Sequence, residues 1–229
     1  MIEKDASLSA PNEDWLRRWV EHNIGWHHEE YNPHLLNHWQ VFDLPEGSLV
    51  LAPLCGKSRD MVWLAEQDYR VRGIELSPLA VESFFQAQGL EPERKQVGNF
   101  ERWSAGPYEI FCGDIFDLDQ LDNSQVAAVY DRASLVALNP VQRMHYVQLL
   151  KRVLPEDCPI LLVAMAYSQQ EMSGPPYSVD ESEVHSLFRS NYEVKLLDSL
   201  DLLNESERYQ EQGLSRIFEQ IYQLKPQSS

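Results

Sequence analysis

Leu49-Val50-Leu51-Ala52-Pro53-Leu54-Cys55-Gly56-Lys57-Ser58-Arg59-Asp60-Met61 is the stretch that decides the fold. A short apolar run stops at a proline, crosses a single glycine and enters a helical pattern. About twenty residues later, Arg70-Val71-Arg72-Gly73-Ile74-Glu75 reads as a second short strand ending in a carboxylate. Strand, turn, helix and strand with an acidic tip is the unit with which α/β domains build nucleoside pockets. The turn brings backbone N–H groups close to the ligand, and the carboxylate accepts hydrogen bonds from ribose hydroxyls.

Beyond this unit the pattern keeps alternating. Strands are expected near 48–53, 70–75, 108–112, 126–131, 158–166, 192–199 and 214–224, with helices near 57–68, 78–88, 140–153 and 180–190. Such alternation implies βαβ units and a mainly parallel sheet covered on both faces. Ile160-Leu161-Leu162-Val163-Ala164-Met165 is continuously apolar, as a strand buried on both faces requires. Pro140 fits the first turn of a helix, where its missing N–H costs nothing. No helix separates the last two strands, and Asn204 to Gly213 reads as a polar loop joining an antiparallel pair. The expected class is α/β: a Rossmann-like, mostly parallel sheet of seven strands with a C-terminal antiparallel hairpin. That is the usual shape of class I methyltransferases that use S-adenosylmethionine. A dehydrogenase of this architecture would more often carry G-x-G-x-x-G and a second domain.

Ahead of the sheet, the first dozen residues are polar and expected to be frayed. Asp14 is expected to cap a helix over Trp15-Leu16-Arg17-Arg18-Trp19-Val20, and a second helical piece should run from Leu35 to Phe42. Residues 1–13 thus read as an extension, and 14–229 as a single domain whose first part, 14–45, forms a helical lid.

Composition narrows the function classes. The 229 residues fit one large domain. A net charge of −17 repels phosphate backbones and anionic lipid, so neither nucleic acid nor a membrane surface is an expected partner. Cys55, Cys112 and Cys158 are odd in number, widely spaced and without a CxxC pair. They point away from a disulfide framework or structural zinc and toward a reducing compartment. Met1-Ile2-Glu3-Lys4-Asp5 lacks the apolar core of a signal peptide, and the longest apolar run, Pro159 to Tyr167, is too short to span a bilayer. A cytoplasmic protein is expected.

The opening turn has one glycine where a phosphate-binding loop has several. Gly56-Lys57-Ser58 would end a G-x-x-x-x-G-K-[ST] motif, but position 51 is leucine. A ligand with an adenosine and no pyrophosphate suits this turn better than a dinucleotide does. Glu75 lies at the right distance for ribose hydroxyls, although strand-end carboxylates are also common on surfaces. Cys112-Gly113-Asp114-Ile115-Phe116-Asp117-Leu118 follows the third strand. There Asp114 or the backbone of Ile115 either reaches an adenine edge, or Asp114 caps a short helix.

Tyr130-Asp131-Arg132-Ala133-Ser134 closes the fourth strand, where ligands of open α/β sheets bind. Asp131 and Arg132 read either as an ion pair or as a means of holding a guanidinium over a substrate pocket. Trp15 and Trp19, four apart, share one helix face. With Trp26 they read either as core or as a lid whose rings face a sulfonium cation. His27 and His28 are adjacent and poorly placed for one metal ion, and H-E-x-x-H is absent; no metal is expected. No serine stands in a G-x-S-x-G elbow, which argues against a hydrolase.

Trp15-x-x-x-Trp19, Ile24-Gly25-Trp26-His27, Pro53-Leu54-Cys55-Gly56-Lys57-Ser58, Gly73-Ile74-Glu75-Leu76-Ser77, Asp114-Ile115-Phe116-Asp117-Leu118 and Asp131-Arg132-Ala133-Ser134-Leu135-Val136-Ala137-Leu138 together closely resemble thiopurine S-methyltransferases of the bacterial type. The similarity runs from about residue 14 to 225. It implies a monomer that transfers a methyl group from S-adenosylmethionine to the sulfur of aromatic or heterocyclic thiols. It implies cofactor contacts at Trp15, Trp19, Leu54, Glu75, Asp114, Ile115 and Arg132. Acceptor contacts are implied at Trp26 and Arg132, with Arg132 the catalytic candidate that orients an anionic acceptor.

Two features depart from the family. Phenylalanine is usual where this chain has Trp26, so a differently shaped acceptor pocket is expected. The polar extension before Asp14 also lies outside the shared pattern. Cys55 is read as a small buried residue of the turn and not as a nucleophile. The alternatives are a methyltransferase of the same fold acting on selenium or tellurium species, halide or thiocyanate, and a non-catalytic adenosine-binding protein.

Overall fold

Every residue of Leu49–Pro53 (β1) is buried, because a parallel strand with helices on both faces has no solvent side. It lies alongside Arg70–Glu75 (β2), with Val50 opposite Val71 and Ala52 opposite Gly73. The computed structural model describes residues 6–204 and 207–227, with backbone alone for 6–11, 207 and 208. Before β1 come Ala6–Val20 (α1), Pro33–His38 (α2) and a 3₁₀ turn, Trp39–Phe42. Asp60–Glu66 (α3) joins β1 to β2, and Pro78–Ala87 (α4) follows β2. Then come Glu93–Val97 (β3), Phe100–Ala105 (β4), Tyr108–Cys112 (β5) and Val126–Arg132 (β6). Pro140–Val153 (α5), Ile160–Tyr167 (β7), Glu181–Phe188 (α6), Tyr192–Asp201 (β8), Glu207–Glu211 (α7) and Ile217–Pro226 (β9) complete the chain.

Among the described residues these strands form one sheet of nine, in the order β3-β4-β5-β2-β1-β6-β7-β9-β8. Its centre, β5-β2-β1-β6-β7, is parallel, and β7-β9-β8 is antiparallel. These seven are the expected strands. The other two, β3 and β4, form an antiparallel hairpin against β5 and correct the expected count. Edge strand β3 is solvent-exposed along nearly its whole length, so Glu93-Arg94-Lys95-Gln96 shows none of the apolar alternation that marks a half-buried strand. The readable signal was the two-residue link Gly98-Asn99 between Val97 and Phe100, with Gly98 at φ +56°.

Helix starts follow side-chain caps where the sequence supplies them. Asn139 and Gln142 form a reciprocal capping box ahead of Pro140, and Ser77 caps α4 ahead of Pro78. Such a cap is worth about 1 kcal/mol. The N-terminal expectation needs correction. Helix α1 begins at Ala6, so Asp14 lies inside it and pairs with Arg17 at 2.6 Å instead of capping. Residues 1–5 of the expected extension lie outside the described residues, and 6–13 belong to the helix. No helix among the described residues is long and apolar enough to cross a membrane.

The sheet divides the core in two. Alternate residues of β1 point to opposite faces, so Leu49 and Leu51 join the core under α5 and α6, and Val50 and Ala52 join the one under α2, α3 and α4. The order in which successive strands are added reverses at the β1–β6 boundary, and the crevice beyond the carboxyl ends of these strands is where such sheets bind ligands. Gly73 makes the approach of the first turn possible. A Cβ there would stand 2.7 Å from Cys55 Sγ and 3.2 Å from Ile110 Cγ1, both in the packed core. Gly73→Ala is expected to destabilise the fold by about 1–3 kcal/mol, the usual cost of overpacking. Urea unfolding with an unchanged midpoint would contradict this packing argument.

Candidate active site

The first turn is held from below by one carboxylate. Cys55 N donates to Ile74 O at 3.0 Å, and Gly56 N donates to Glu75 Oε2 at 2.8 Å. The other carboxylate oxygen accepts Ser77 N at 2.7 Å. Glu75 therefore ties the turn after β1 to the turn after β2. Burial pushes its pKa up, and the backbone N–H groups of Ser77, Gly56 and Leu76 oppose that rise. Leu54 and Gly56 both have positive φ, +45° and +54°, and Ala133 after β6 has φ +66°. Strained backbone of this kind clusters where ligands are clamped. Ser134 Oγ donates to Pro53 O at 2.7 Å and ties the β6 loop to the end of β1.

Helix α1 closes the crevice from above. Trp15 and Trp19 both stand edge-on to Trp26, with ring centroids 5.1 and 6.0 Å apart. Trp19 rests on the turn, since a Cβ at Gly56 would be 3.2 Å from its Cζ2. Asn12 Nδ2 donates to Asp114 Oδ2 at 3.1 Å and joins α1 to the loop after β5. Asp114 also caps the 3₁₀ turn Ile115–Gln120 by accepting Phe116 N at 3.0 Å. The cavity beneath it measures about 630 Å³, within the usual range for small-molecule sites. Trp15, Trp19, Trp26, Leu54, Glu75, Asp114, Ile115 and Arg132 all line it. Five separated segments of chain thus bring every expected site residue to one space.

Asp131 is not the ion-pair partner of Arg132. It is fully buried, accepts Tyr146 Oη–H at 2.7 Å and Leu135 N at 3.3 Å, and has its pKa raised by burial against these bonds. Arg132 instead points Nη1 at Asp60 Oδ2, 3.4 Å away. Asp60 is buried and also accepts Tyr130 Oη–H at 3.0 Å and Asn32 N at 2.8 Å. Sequence reasoning gave Asp60 no role. In the chain it stands in the first turn of a helix, an ordinary position for an acid, and Arg132 is 72 residues away. His28 and Glu219, also without an expected role, line the cavity near Arg132.

The thiols are unsuited to nucleophilic chemistry. Burial pushes the Cys55 pKa far up, with the nearby Glu75 carboxylate adding to it, and Cys112 is pushed up to about 12 by the same two effects. All three cysteines are free.

A profile of the thiopurine S-methyltransferase (TPMT) family matches residues 10–227. The chain is 46% identical over 212 residues to a thiopurine S-methyltransferase of Nitrosospira multiformis, covering 93% of this chain and 96% of that one. It is 41% identical over 210 residues to one of Pseudomonas putida, covering 92% and 97%. The chain belongs to the thiopurine S-methyltransferase family. Two solved methyltransferases share the fold. Burkholderia thailandensis 1,6-didemethyltoxoflavin-N1-methyltransferase, solved with S-adenosylhomocysteine, superposes with a TM-score of 0.65 at 15% identity, covering 97% of this chain and 89% of that one. A TehB-like methyltransferase of Corynebacterium glutamicum gives 0.54 at 17% identity, covering 94% and 99%. The thiopurine S-methyltransferase sheet is thus a class I methyltransferase sheet, extended here by the β3–β4 hairpin at one edge.

The cavity histidine gives the family member a pH signature. Burial, then the Arg132 guanidinium, lower the His28 pKa below 6.5, against opposing effects from Glu219 and Asp60. With the folded pKa lowered, the unfolded chain takes up the proton first as pH falls. Stability is then complete above the unfolded value of 6.5 and declines below it. His28→Gln is expected to lose less melting temperature than the parent between about pH 7.5 and about pH 5.5. Identical declines, followed by calorimetry, would contradict this placement of His28.

Proposed function

We propose that this protein methylates the sulfur of aromatic or heterocyclic thiols, thiopurine-type acceptors among them, with S-adenosylmethionine as methyl donor. The observation that carries the reading is the convergence of the three tryptophans, Glu75, Asp114 and Arg132 on one 630 Å³ cavity at the carboxyl ends of β1, β2 and β6. The residues fit the donor chemically. Its sulfonium suits the faces of Trp15, Trp19 and Trp26, and its ribose hydroxyls suit Glu75. Each Glu75 oxygen already takes one N–H and keeps lone-pair capacity for a further donor. Asp114 and the backbone of Ile115 would hold the adenine, and Leu54 would pack against the nucleoside.

The bound cofactor supplies an electrophilic methyl group. The protein's part is to hold the acceptor in line with it, exclude water and favour the anionic sulfur. Positioning of this kind is worth about 7–11 kcal/mol. Arg132, braced by Asp60, offers its remaining N–H groups to an anionic acceptor, and Trp26 shapes the acceptor wall. The acceptor sulfur gains the methyl as its bond to the donor sulfur breaks, leaving a thioether and S-adenosylhomocysteine. A neutral thiol releases its proton to solvent. No enzyme-bound covalent intermediate is needed, in keeping with the raised thiol pKa values. We place the protein in the cytoplasm as a monomer of one domain with residues 14–45 as lid, acting on small molecules and on neither nucleic acid nor membrane. Its three free cysteines and its net charge of −17 support that reading.

Glu75→Ala is expected to weaken S-adenosylhomocysteine binding, each lost charge-assisted hydrogen bond being worth about 1.5–3 kcal/mol. Calorimetric titration showing unchanged affinity in a folded variant would remove Glu75 from the cofactor site. Arg132→Ala is expected to lower turnover of an acidic aromatic thiol by about tenfold or more, the loss of one charge-assisted contact in the transition state. A screen with labelled S-adenosylmethionine against aromatic thiols, thiopurines and selenite ranks the acceptors. Methylation of selenite alone would move the activity to chalcogen oxyanions, and cofactor binding without any turnover would make the protein a binding module.

A further inference from the structure

Helix α2 carries His34 and His38, four residues apart and so on one face. Their rings are nearly parallel, 18° apart, with centroids separated by 6.3 Å. The Nε2 atoms of both are shielded from solvent, and neither makes a well-directed hydrogen bond. Two carboxylates face them from the sheet. Asp198 Oδ2 is 3.7 Å from His38 Nε2, and Glu219 Oε2 is 2.9 Å from His34 Nε2. One donor atom from each of His34, His38 and Asp198 lie within 4.8 Å of one another.

A bulge in β8 aims Asp198 at this face. Leu196 pairs with Tyr222, but Asp198 pairs with Ile221, so Leu197 is the extra residue. Directly opposed residues of an antiparallel pair share a face. Tyr222 points into the core under α5, and Ile221 into the core that contains Leu35 and Trp39. In an unbroken strand Asp198 would follow Leu196 to the α5 side. The bulge turns it back toward α2, onto the side of Ile221 and Glu219.

We propose that His34, His38 and Asp198 bind one divalent transition-metal ion of the zinc class, with Glu219 beside it as a further ligand or a partner to His34. Two imidazoles and a carboxylate are the donor set of zinc and its neighbours, whereas magnesium and calcium favour all-oxygen sites. Tetrahedral bonds of about 2 Å separate ligand atoms by about 3.3 Å, so the three donors need only close in slightly. The Asp198 side chain is about half exposed, and its Oδ2 can make that adjustment while Oδ1 accepts Ser199 N at 2.8 Å. The ion would clamp α2, which follows the tryptophan helix, to the β8–β9 hairpin. It would also give a ligand to the two Nε2 atoms that lack a well-directed hydrogen bond.

The test uses the full chain after chelator treatment, titrated with cobalt(II) chloride and then zinc chloride. The expected result is one cobalt per chain with the visible absorption of a low-coordinate nitrogen–oxygen site, displaced by zinc, and a melting temperature that rises with zinc but not with magnesium. His38→Gln and Asp198→Asn, both at partly exposed positions, are each expected to weaken zinc binding about tenfold or more. His185→Gln, on α6, should leave it unchanged. Absence of stoichiometric binding, or binding that survives in both His38→Gln and Asp198→Asn while their circular dichroism matches the parent, would overturn the proposal. So would equal loss in His185→Gln, which would mark scattered surface histidines.

Discussion

The Glu75 carboxylate accepts a backbone N–H from each of two turns, Gly56 at 2.8 Å and Ser77 at 2.7 Å, from a nearly buried position on the cavity wall. Without Glu75 both N–H groups would lose the partner they have, at about 1–3 kcal/mol each. The rest of the site is stacked on this joint. It fixes the turn in which Leu54 and Gly56 take positive φ, and Gly56, having no Cβ, leaves room for the Trp19 ring. Trp19 in turn meets Trp26. A carboxylate buried among apolar strands is costly, which is why burial is the largest influence on its pKa. The backbone bonds offset that cost only in part.

Arg132 obeys the same logic with the sign reversed. A guanidinium at the mouth of a cavity would sample many rotamers, and a loose cation orients nothing. Asp60 limits it, and Asp60 is itself pinned by Tyr130 and by the Asn32 backbone. Asn32 also caps α2 through its side chain, so the helix that presents His34 and His38 starts from the residue that helps hold Asp60. The Arg132 end of the cavity and the α2 face therefore share a scaffold.

Much of this was legible in the chain because it is local. The strand-turn-helix-strand unit at 49–75, Pro140 at a helix start and the apolar run 160–165 are read from neighbours in sequence, and the structure has each where expected. The tryptophan spacing showed a shared face but not what that face meets. What escaped is either non-local or hidden by exposure. The β3 strand left no apolar pattern because an edge strand with two solvent sides needs none. Asp14 resembled a cap because caps and helix-interior acids use the same residue types, and only the backbone of Ala6–Val20 distinguishes them. Asp131 looked like the partner of Arg132 because it is adjacent. Adjacent residues on a strand point to opposite faces, however, and the true partner comes from helix α3. The histidine–carboxylate cluster depends on a bulge, and no window of sequence shows a bulge.

Charge joins the donor and acceptor ends of the proposed reaction. S-adenosylmethionine carries one net positive charge at neutral pH, its sulfonium and ammonium outweighing its carboxylate, whereas S-adenosylhomocysteine carries none. A protein with a net charge of −17 attracts the former more than the latter, over a range screened at about 8 Å in physiological salt. The same field repels a thiolate acceptor. A cavity walled only by Glu75, Asp114 and Glu219 would bind the donor and exclude its partner. Arg132 and Arg18, both on the cavity wall, reverse the local sign where an anionic sulfur must sit. Arg18 stacks over Trp15 at 5.2 Å, so one cation rides on α1 and the other on the sheet. In the proposed reaction both charges draw an anionic acceptor into the cavity, where the dielectric is lower than in bulk water and their attraction for it is stronger.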